Sequence, residues 1–197
     1  MNRRELLQRT SLVIGGSLLG ADSLLAKKID WDALDDLPED FKNIGIFSKA
    51  QVKLMNEVAD TIIPDTSTPG AKAAKVGQFM AVIVSDCYDP GDQKRFLDGL
   101  TSLEAAGKTK YGKSSFRKLS PLQRNELLTA LDQEQKAVEK SKKKEEPSHY
   151  FRVFKDLVLW GYFTSEIGAT QALRFLEYPG KYTTVDYKKG ERNWGGY

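Results

Sequence analysis

Two residues that carry much of enzyme chemistry occur once each in this chain, Cys87 and His149. A single cysteine cannot close an internal disulfide. It also excludes c-type haem attachment, cysteine-rich zinc sites and cysteine-ligated iron–sulfur clusters. A Ser–His pair would have to use His149, which sits in Pro147-Ser148-His149-Tyr150 with no nucleophile-elbow glycines nearby. It reads as a surface or helix-cap residue. Glycine patterns fail as well. Gly15-Gly16 lies in the leading segment, and there is neither a dinucleotide fingerprint after a strand nor a P-loop. Charge of one sign is also missing: 30 Lys and Arg face 27 Asp and Glu, for a net +3. Arg3, Arg4 and Arg9 against Glu5 supply two of those charges. The remaining body is nearly neutral and lacks the phosphate-neutralising surface of a nucleic-acid binder. Asp35-Asp36, and Asp86 with Asp89, have no hydrolase context and read as surface or capping carboxylates. With no ligand cluster, no intrinsic metal centre is expected.

What is present begins with an address. Residues 1–21 read MNRRELLQRTSLVIGGSLLGA, a basic segment followed by a short, glycine-bearing apolar stretch. That is a signal-peptide pattern, too short to span a bilayer comfortably. Arg3-Arg4 followed by Leu6 and Leu7 resemble the twin-arginine export box, with Asn2, Leu6 and Gln8 departing from its usual residues. Cleavage near Ala21-Asp22-Ser23, cleavage after Ala26 and retention as a membrane tether all remain open. The twin-arginine route carries folded proteins, typically around a cofactor, yet no cofactor motif follows. A chain that leaves the cell docked to a cofactor-bearing partner resolves that mismatch.

The organisation expected is a signal segment over 1–26, an extended or loosely packed lead-in over 27–47, and a helical domain over 48–197. Ser48 with Gln51 forms a capping-box pattern, and Val52, Met55, Val58, Ala59 and Ile62 recur at helical spacing until Pro64-Asp65. A turn-rich loop leads to a second helix over 70–88, with Val76, Phe79, Met80, Ile83 and Val84 inward and Cys87 as a small buried hydrophobe. After Asp89-Pro90-Gly91, a third helix buries Phe96, Leu97, Leu100 and Leu103 and stops at Gly107. A basic loop over 107–119 precedes Ser120-Pro121-Leu122-Gln123, a strong helix start whose inward residues are Leu122, Leu127, Leu128 and Leu131. The charged stretch around Lys140–Lys144 is interleaved with glutamates and reads as a solvated helix end. The last helical region carries Tyr150, Phe151, Phe154, Leu157, Val158 and Trp160, and a further helix, capped at Thr164 or Ser165, runs to Leu176. A tail with Tyr182, Tyr187 and Trp194 has no period. The fold class is therefore all-α, an irregular bundle of five or six helices with an extended C-terminal tail.

The most distinctive segment is Trp160-Gly161-Tyr162-Phe163-Thr164-Ser165-Glu166-Ile167-Gly168-Ala169-Thr170. Its small residues admit close backbone approach, and its aromatics are of the types that anchor interfaces. They are equally suited to filling this domain's own core. This segment, with its continuation through Tyr178-Pro179-Gly180-Lys181-Tyr182, and the stretch Ala59-Asp60-Thr61-Ile62-Ile63-Pro64-Asp65-Thr66 through Ala74 are similar to the gluconate 2-dehydrogenase subunit 3 family. Phe96-Leu97-Asp98-Gly99-Leu100 also fits. The resemblance implies a small, non-catalytic subunit of a membrane-associated complex. Its large subunit would be an FAD-dependent dehydrogenase of the glucose–methanol–choline type, with a cytochrome c as onward electron acceptor. The small subunit would support maturation and carry the export signal, which implies a periplasmic location. It implies no cofactor in this chain, FAD in the partner, and no catalytic residue to transfer. We assign partner contact to Pro64, Trp160, Tyr162, Phe163, Glu166, Gly168, Tyr178, Pro179, Tyr182 and Trp194. A stand-alone periplasmic sugar-binding module, with the aromatic tail lining the sugar, is the competing expectation. An independent enzyme would need chemistry that the residue inventory lacks.

Overall fold

The computed structural model describes residues 44–178, 180, 184, 186 and 188–195. Arg3, Arg4, Leu6, Leu7, Asp35-Asp36, Pro179, Tyr182 and Tyr187 lie outside the described residues. Five α-helices and a short π-helical turn make up most of the described chain, in agreement with the all-α expectation.

Helix α1 (Lys49–Ile62) starts where the capping box predicts. The Ser48 hydroxyl accepts from the Gln51 N–H, and the Gln51 side chain accepts from the Ser48 N–H at 2.9 Å. The core begins one residue earlier than expected. Phe47 is fully buried, and with Val52 it occupies the two positions of a hydrophobic staple. The end of the lead-in is correspondingly tight rather than loose. Ile44 and Phe47 exchange backbone hydrogen bonds of 3.0 Å, and Ser85 Oγ accepts from the Ile46 N–H at 3.1 Å.

Helix α2 (Val76–Cys87) starts six residues later than the spacing predicts. Ala71–Lys75 form a turn instead, closed by the Val76 N–H donating to Ala71 O at 3.1 Å, with Lys75 in the left-handed region at φ 55°. Val76, Gly77, Met80, Ala81 and Val84 are buried, but Cys87 is exposed. Cys87 shares their helical face, yet it is the last residue of α2, a turn beyond Val84, and it is exposed where the helix ends.

Helix α3 (Pro90–Tyr111) is capped by Asp89, whose carboxylate accepts from the Gly91 and Asp92 N–H groups at 2.8 and 2.9 Å. It runs past Gly107, which is buried inside the helix and is not its stop. The stop is Gly112, at φ 65°. The basic loop that follows is anchored rather than free: Glu104 accepts from Ser115 Oγ at 3.1 Å and from the Phe116 N–H at 2.9 Å. That pins a 3-10 turn (Phe116–Lys118) and buries Phe116 and Leu119.

Helix α4 (Pro121–Ser141) shows the second capping box, Ser120 with Gln123, and buries Leu127, Leu128, Leu131 and Gln135. Leu122 is exposed, contrary to expectation. At about 100° per residue it lies half a turn from Leu131, off the buried face. Arg124 ties α4 back to α1 and the 3-10 turn. Its guanidinium donates to Glu57 Oε2 at 2.8 Å, Leu119 O at 3.2 Å and Arg117 O at 2.7 Å.

Helix α5 (Tyr150–Phe163) is the axis of the bundle, packing against all four preceding helices. His149 caps it, its Nδ1 accepting from the Phe151 N–H at 3.2 Å. Phe151, Phe154, Leu157, Val158 and Tyr162 form its buried side. The Phe154 ring stacks on Phe96 at 5.6 Å, and Phe96 meets Phe47 edge-on at 5.8 Å, so one aromatic chain links the lead-in, α3 and α5. The helix expected to reach Leu176 ends at Ala172 as a π turn (Gly168–Ala172), closed by the Leu173 N–H donating to Gly168 O at 2.9 Å. Leu173 is extended, and β1 (Arg174–Phe175) pairs in parallel with β2 (Trp194–Gly195).

Candidate functional site

The two sequence segments that carry the family resemblance meet at one corner. Its inner wall is the loop between α1 and α2. Ile63 O accepts from the Ala71 N–H at 2.9 Å, and the Asp65 carboxylate accepts from the Gly70 N–H, folding Pro64–Pro69 into a closed loop. A Cβ on Gly70 would lie 2.6 Å from Ile63 O and 2.7 Å from Asp65 N, so the loop closes only over a glycine. The Tyr162 hydroxyl, from the end of α5, donates to Pro69 O at 2.8 Å across 93 residues of chain. Beside it, Gly161 lets Phe79 of α2 approach closely enough that a Cβ would sit 2.5 Å from the Phe79 ring. Phe79 in turn meets Trp160 edge-on at 5.2 Å.

The outer side follows from the turn after α5. Thr164 Oγ1 donates to Trp160 O at 2.7 Å. Ser165 Oγ donates to Tyr162 O at 2.6 Å and accepts from the Gly168 N–H at 3.0 Å. The chain therefore doubles back tightly, and a Cβ on Gly168 would lie 1.9 Å from Tyr162 O. The tail is clamped onto this turn by Arg192, which donates to Thr170 O and Gln171 O, and by Arg174, whose guanidinium covers the Trp194 ring at 4.4 Å.

The residues assigned to partner contact divide accordingly. Tyr162 is 2% exposed and Gly168 is buried; both belong to this chain's own core, which corrects their assignment to a partner. The hydrogen bond from Tyr162 to Pro69 and the tight turn at Gly168 give the reason. Trp160 and Phe163, 51% and 40% exposed, share one face of α5 at spacing i, i+3. Pro64, Glu166, Tyr178 and Trp194 are exposed. Pro179 and Tyr182 lie outside the described residues. Leu159, on the same face as Phe163, and Phe175 and Leu176 after it are also exposed apolar residues that the sequence reading missed. A signal for Leu159 was available. The outward face of α5 is charged in its first two turns, where Arg152 pairs with Asp156, and apolar only in its last two. Here Phe154, Leu157, Val158 and Tyr162 face the core, while Leu159, Trp160 and Phe163 face outward.

Among the described residues no group of three or more His, Cys, Asp or Glu side chains is placed to hold a metal ion, and no helix is long and apolar enough to cross a membrane. Burial pushes the Asp60 carboxyl above its ordinary value, partly offset by Lys72 nearby. Glu57 is held below its ordinary value: burial raises it, but Lys72 and Arg124 outweigh burial. Both belong to the ionic network beneath the loop.

No curated protein and no solved structure matches the chain significantly. The family described as gluconate 2-dehydrogenase subunit 3 matches residues 49–180, a span that runs from the first turn of α1 to the end of the corner. That covers well over half of the sequence, and the chain belongs to the gluconate 2-dehydrogenase subunit 3 family.

Proposed function

We propose that this chain is the non-catalytic small subunit of a periplasmic FAD-dependent sugar or polyol dehydrogenase complex, and that it supports maturation and twin-arginine export of the flavoprotein. The observation that carries the reading is the outward face of α5. Leu159, Trp160 and Phe163 stand exposed on a helix whose opposite side is the core of the bundle, inside the stretch that matches a subunit family. An amphipathic surface helix presents polar residues to water; this one does so only in its first two turns, at Arg152 and Asp156, and its last two present Leu159, Trp160 and Phe163, which a large partner subunit would cover. FAD resides in that partner. A cytochrome c takes its electrons onward, and membrane association comes through the assembled complex. The Arg3-Arg4 segment carries both chains out of the cell together.

Native purification of the chain from its own periplasm or membranes tests this. Flavin absorbance arriving with a large subunit, and leaving when the two are separated, is the expected result. Trp160→Ser combined with Phe163→Ser should leave the helical circular dichroism intact and abolish co-purification. Arg3→Lys with Arg4→Lys should strand the flavoprotein in the cytoplasm. A colourless chain that no dehydrogenase accompanies would overturn the reading and favour a stand-alone module.

A further inference from the structure

The outward end of α5 is too small to hold a subunit by itself. Leu159, Trp160 and Phe163 are each about half-exposed. An aromatic side chain can bury about 150–250 Å² in all, so the three offer on the order of 300 Å² between them. A stable protein–protein contact removes about 800 Å² from each partner, more than half of it apolar. The surface that a large subunit covers must therefore continue past α5, and exposed apolar side chains mark the direction.

They lead onto α2. The Phe79 ring, met edge-on by Trp160, stands one turn from Val82, which is 45% exposed. One turn further along α2, Ser85 Oγ accepts from the Ile46 N–H at 3.1 Å. Ile46, 42% exposed, therefore borders the same side of the helix. Apolar groups thus follow one another from Phe163 through Trp160, Phe79 and Val82 to Ile46. We infer that this whole strip is the docking surface for the large subunit, with Val82 and Ile46 meeting the same partner face as Trp160 and Phe163. The inference rests on the complex proposed above.

The far end of the strip is as firmly placed as the near end. Gly45, at φ 56°, lies so close to α2 that a Cβ would sit 2.0 Å from Ser85 Oγ. Ile44 and Phe47 exchange backbone hydrogen bonds around it. Phe47 is fully buried, and its anchorage holds Ile46 outward. A surface fixed by backbone bonds and core packing loses little freedom on docking. The matching face of the partner must be apolar, because a charged one would lose its hydration there without a compensating contact. Trp194 on the tail is exposed as well, but Arg174 already lies over its ring at 4.4 Å.

Thiol labelling tests the strip. Cys87 is exposed at the end of α2, so Cys87→Ser supplies an unreactive background in the full chain. On it, Val82→Cys and Ile46→Cys are treated with a maleimide, in the free chain and in the natively purified complex. Labelling at both positions should slow about tenfold or more in the complex, with Lys94→Cys on α3 unaffected. Val82→Ser with Ile46→Ser should weaken retention of the flavoprotein about tenfold or more with unchanged circular dichroism, and Leu176→Ser with Trp194→Ser should not. A complex that forms yet leaves positions 46 and 82 as reactive as in the free chain would overturn the strip while the α5 contact stands. Loss of retention in the tail variant but not in the Val82 and Ile46 variant would overturn it too. A wild-type chain that brings no flavoprotein would overturn the complex and the strip together.

Discussion

Gly168→Ala should be among the most damaging single-methyl substitutions in the chain, and Gly107→Ala should stabilise it. At Gly168 the added Cβ would lie 1.9 Å from Tyr162 O, 2.7 Å from Tyr162 C and 3.0 Å from Phe163 Cα. All three are backbone atoms at the junction of α5 and the π turn, so no side chain can swing aside. Ordinary carbon–oxygen contact requires roughly 1.5 Å more room. Overpacking in a core costs about 1–3 kcal/mol when side chains give way, and a rigid backbone places this case at the upper end, about 3 kcal/mol. For a chain of this size that lowers Tm by roughly 6–12 °C. Gly107 differs only in surroundings. Its added Cβ would meet Leu119 Cδ1 at 3.5 Å and Leu127 Cδ2 at 3.7 Å, ordinary packing distances inside a continuous helix. Removing a helix-interior glycine there should gain about 0.5–1 kcal/mol. Thermal unfolding followed at 222 nm, the usual helix wavelength, measures both in one experiment. A Gly168→Ala variant that melts with the wild type would refute the close-approach geometry of the corner. A destabilised Gly107→Ala variant would refute the continuity of α3.

Tyr162→Phe removes the donor to Pro69 O and should cost about 1 kcal/mol in urea unfolding; no loss would mean that the two family segments are not coupled through that bond. Lys136 and Lys155 hold the Asp132 carboxyl well below the usual carboxylate range. A depressed folded-state value contributes stability above the unfolded value, near pH 4, and loses it as pH falls toward the folded one. Urea midpoints should therefore fall progressively from about pH 5 downward, and Lys155→Met should flatten that limb; an unchanged limb would refute the pairing. Burial pushes the Tyr150 hydroxyl up to about 12, so the neutral form is favoured in the fold. That contribution is present below pH about 10 and is lost as pH rises through the folded value. Because the hydroxyl has no partner among the described residues, Tyr150→Phe should leave stability at pH 7 within about 0.5 kcal/mol of the wild type or raise it, and a loss above about 1 kcal/mol would reveal a further partner.

The parts of this fold that the sequence makes legible are those decided within one turn of chain. Ser48 with Gln51 and Ser120 with Gln123 cap helices as their spacing predicts, and of the two roles open to Asp89, surface or capping, the structure shows capping; a cap needs only its own three or four residues. What escapes is decided by distant neighbours. Periodicity places Cys87 on the buried face but cannot reveal that burial on that face ends a turn earlier, at Val84. Gly107 has the composition of a stop, but core contacts keep α3 going to Gly112. At the candidate site the aromatic triplet is visible as a cluster. Which rings turn inward depends on Pro69 and Phe79, some 80 to 90 residues away in sequence.

Helix α5 is the element on which every earlier helix packs, and it is made after all of them. During synthesis, α1 to α4 therefore emerge before the one element that packs on all of them, although α1 and α2 can already pack on each other. The bond between Tyr162 and Pro69 spans most of the domain, so loop-closure entropy opposes it until the chain is nearly complete. The core therefore closes fully only once α5 is made, and the apolar surface it covers on α1 to α4 stays open until then. The outward face of α5 acquires its shape only at that last step, so a partner that recognises Trp160 and Phe163 recognises, in the same contact, a chain that has been finished.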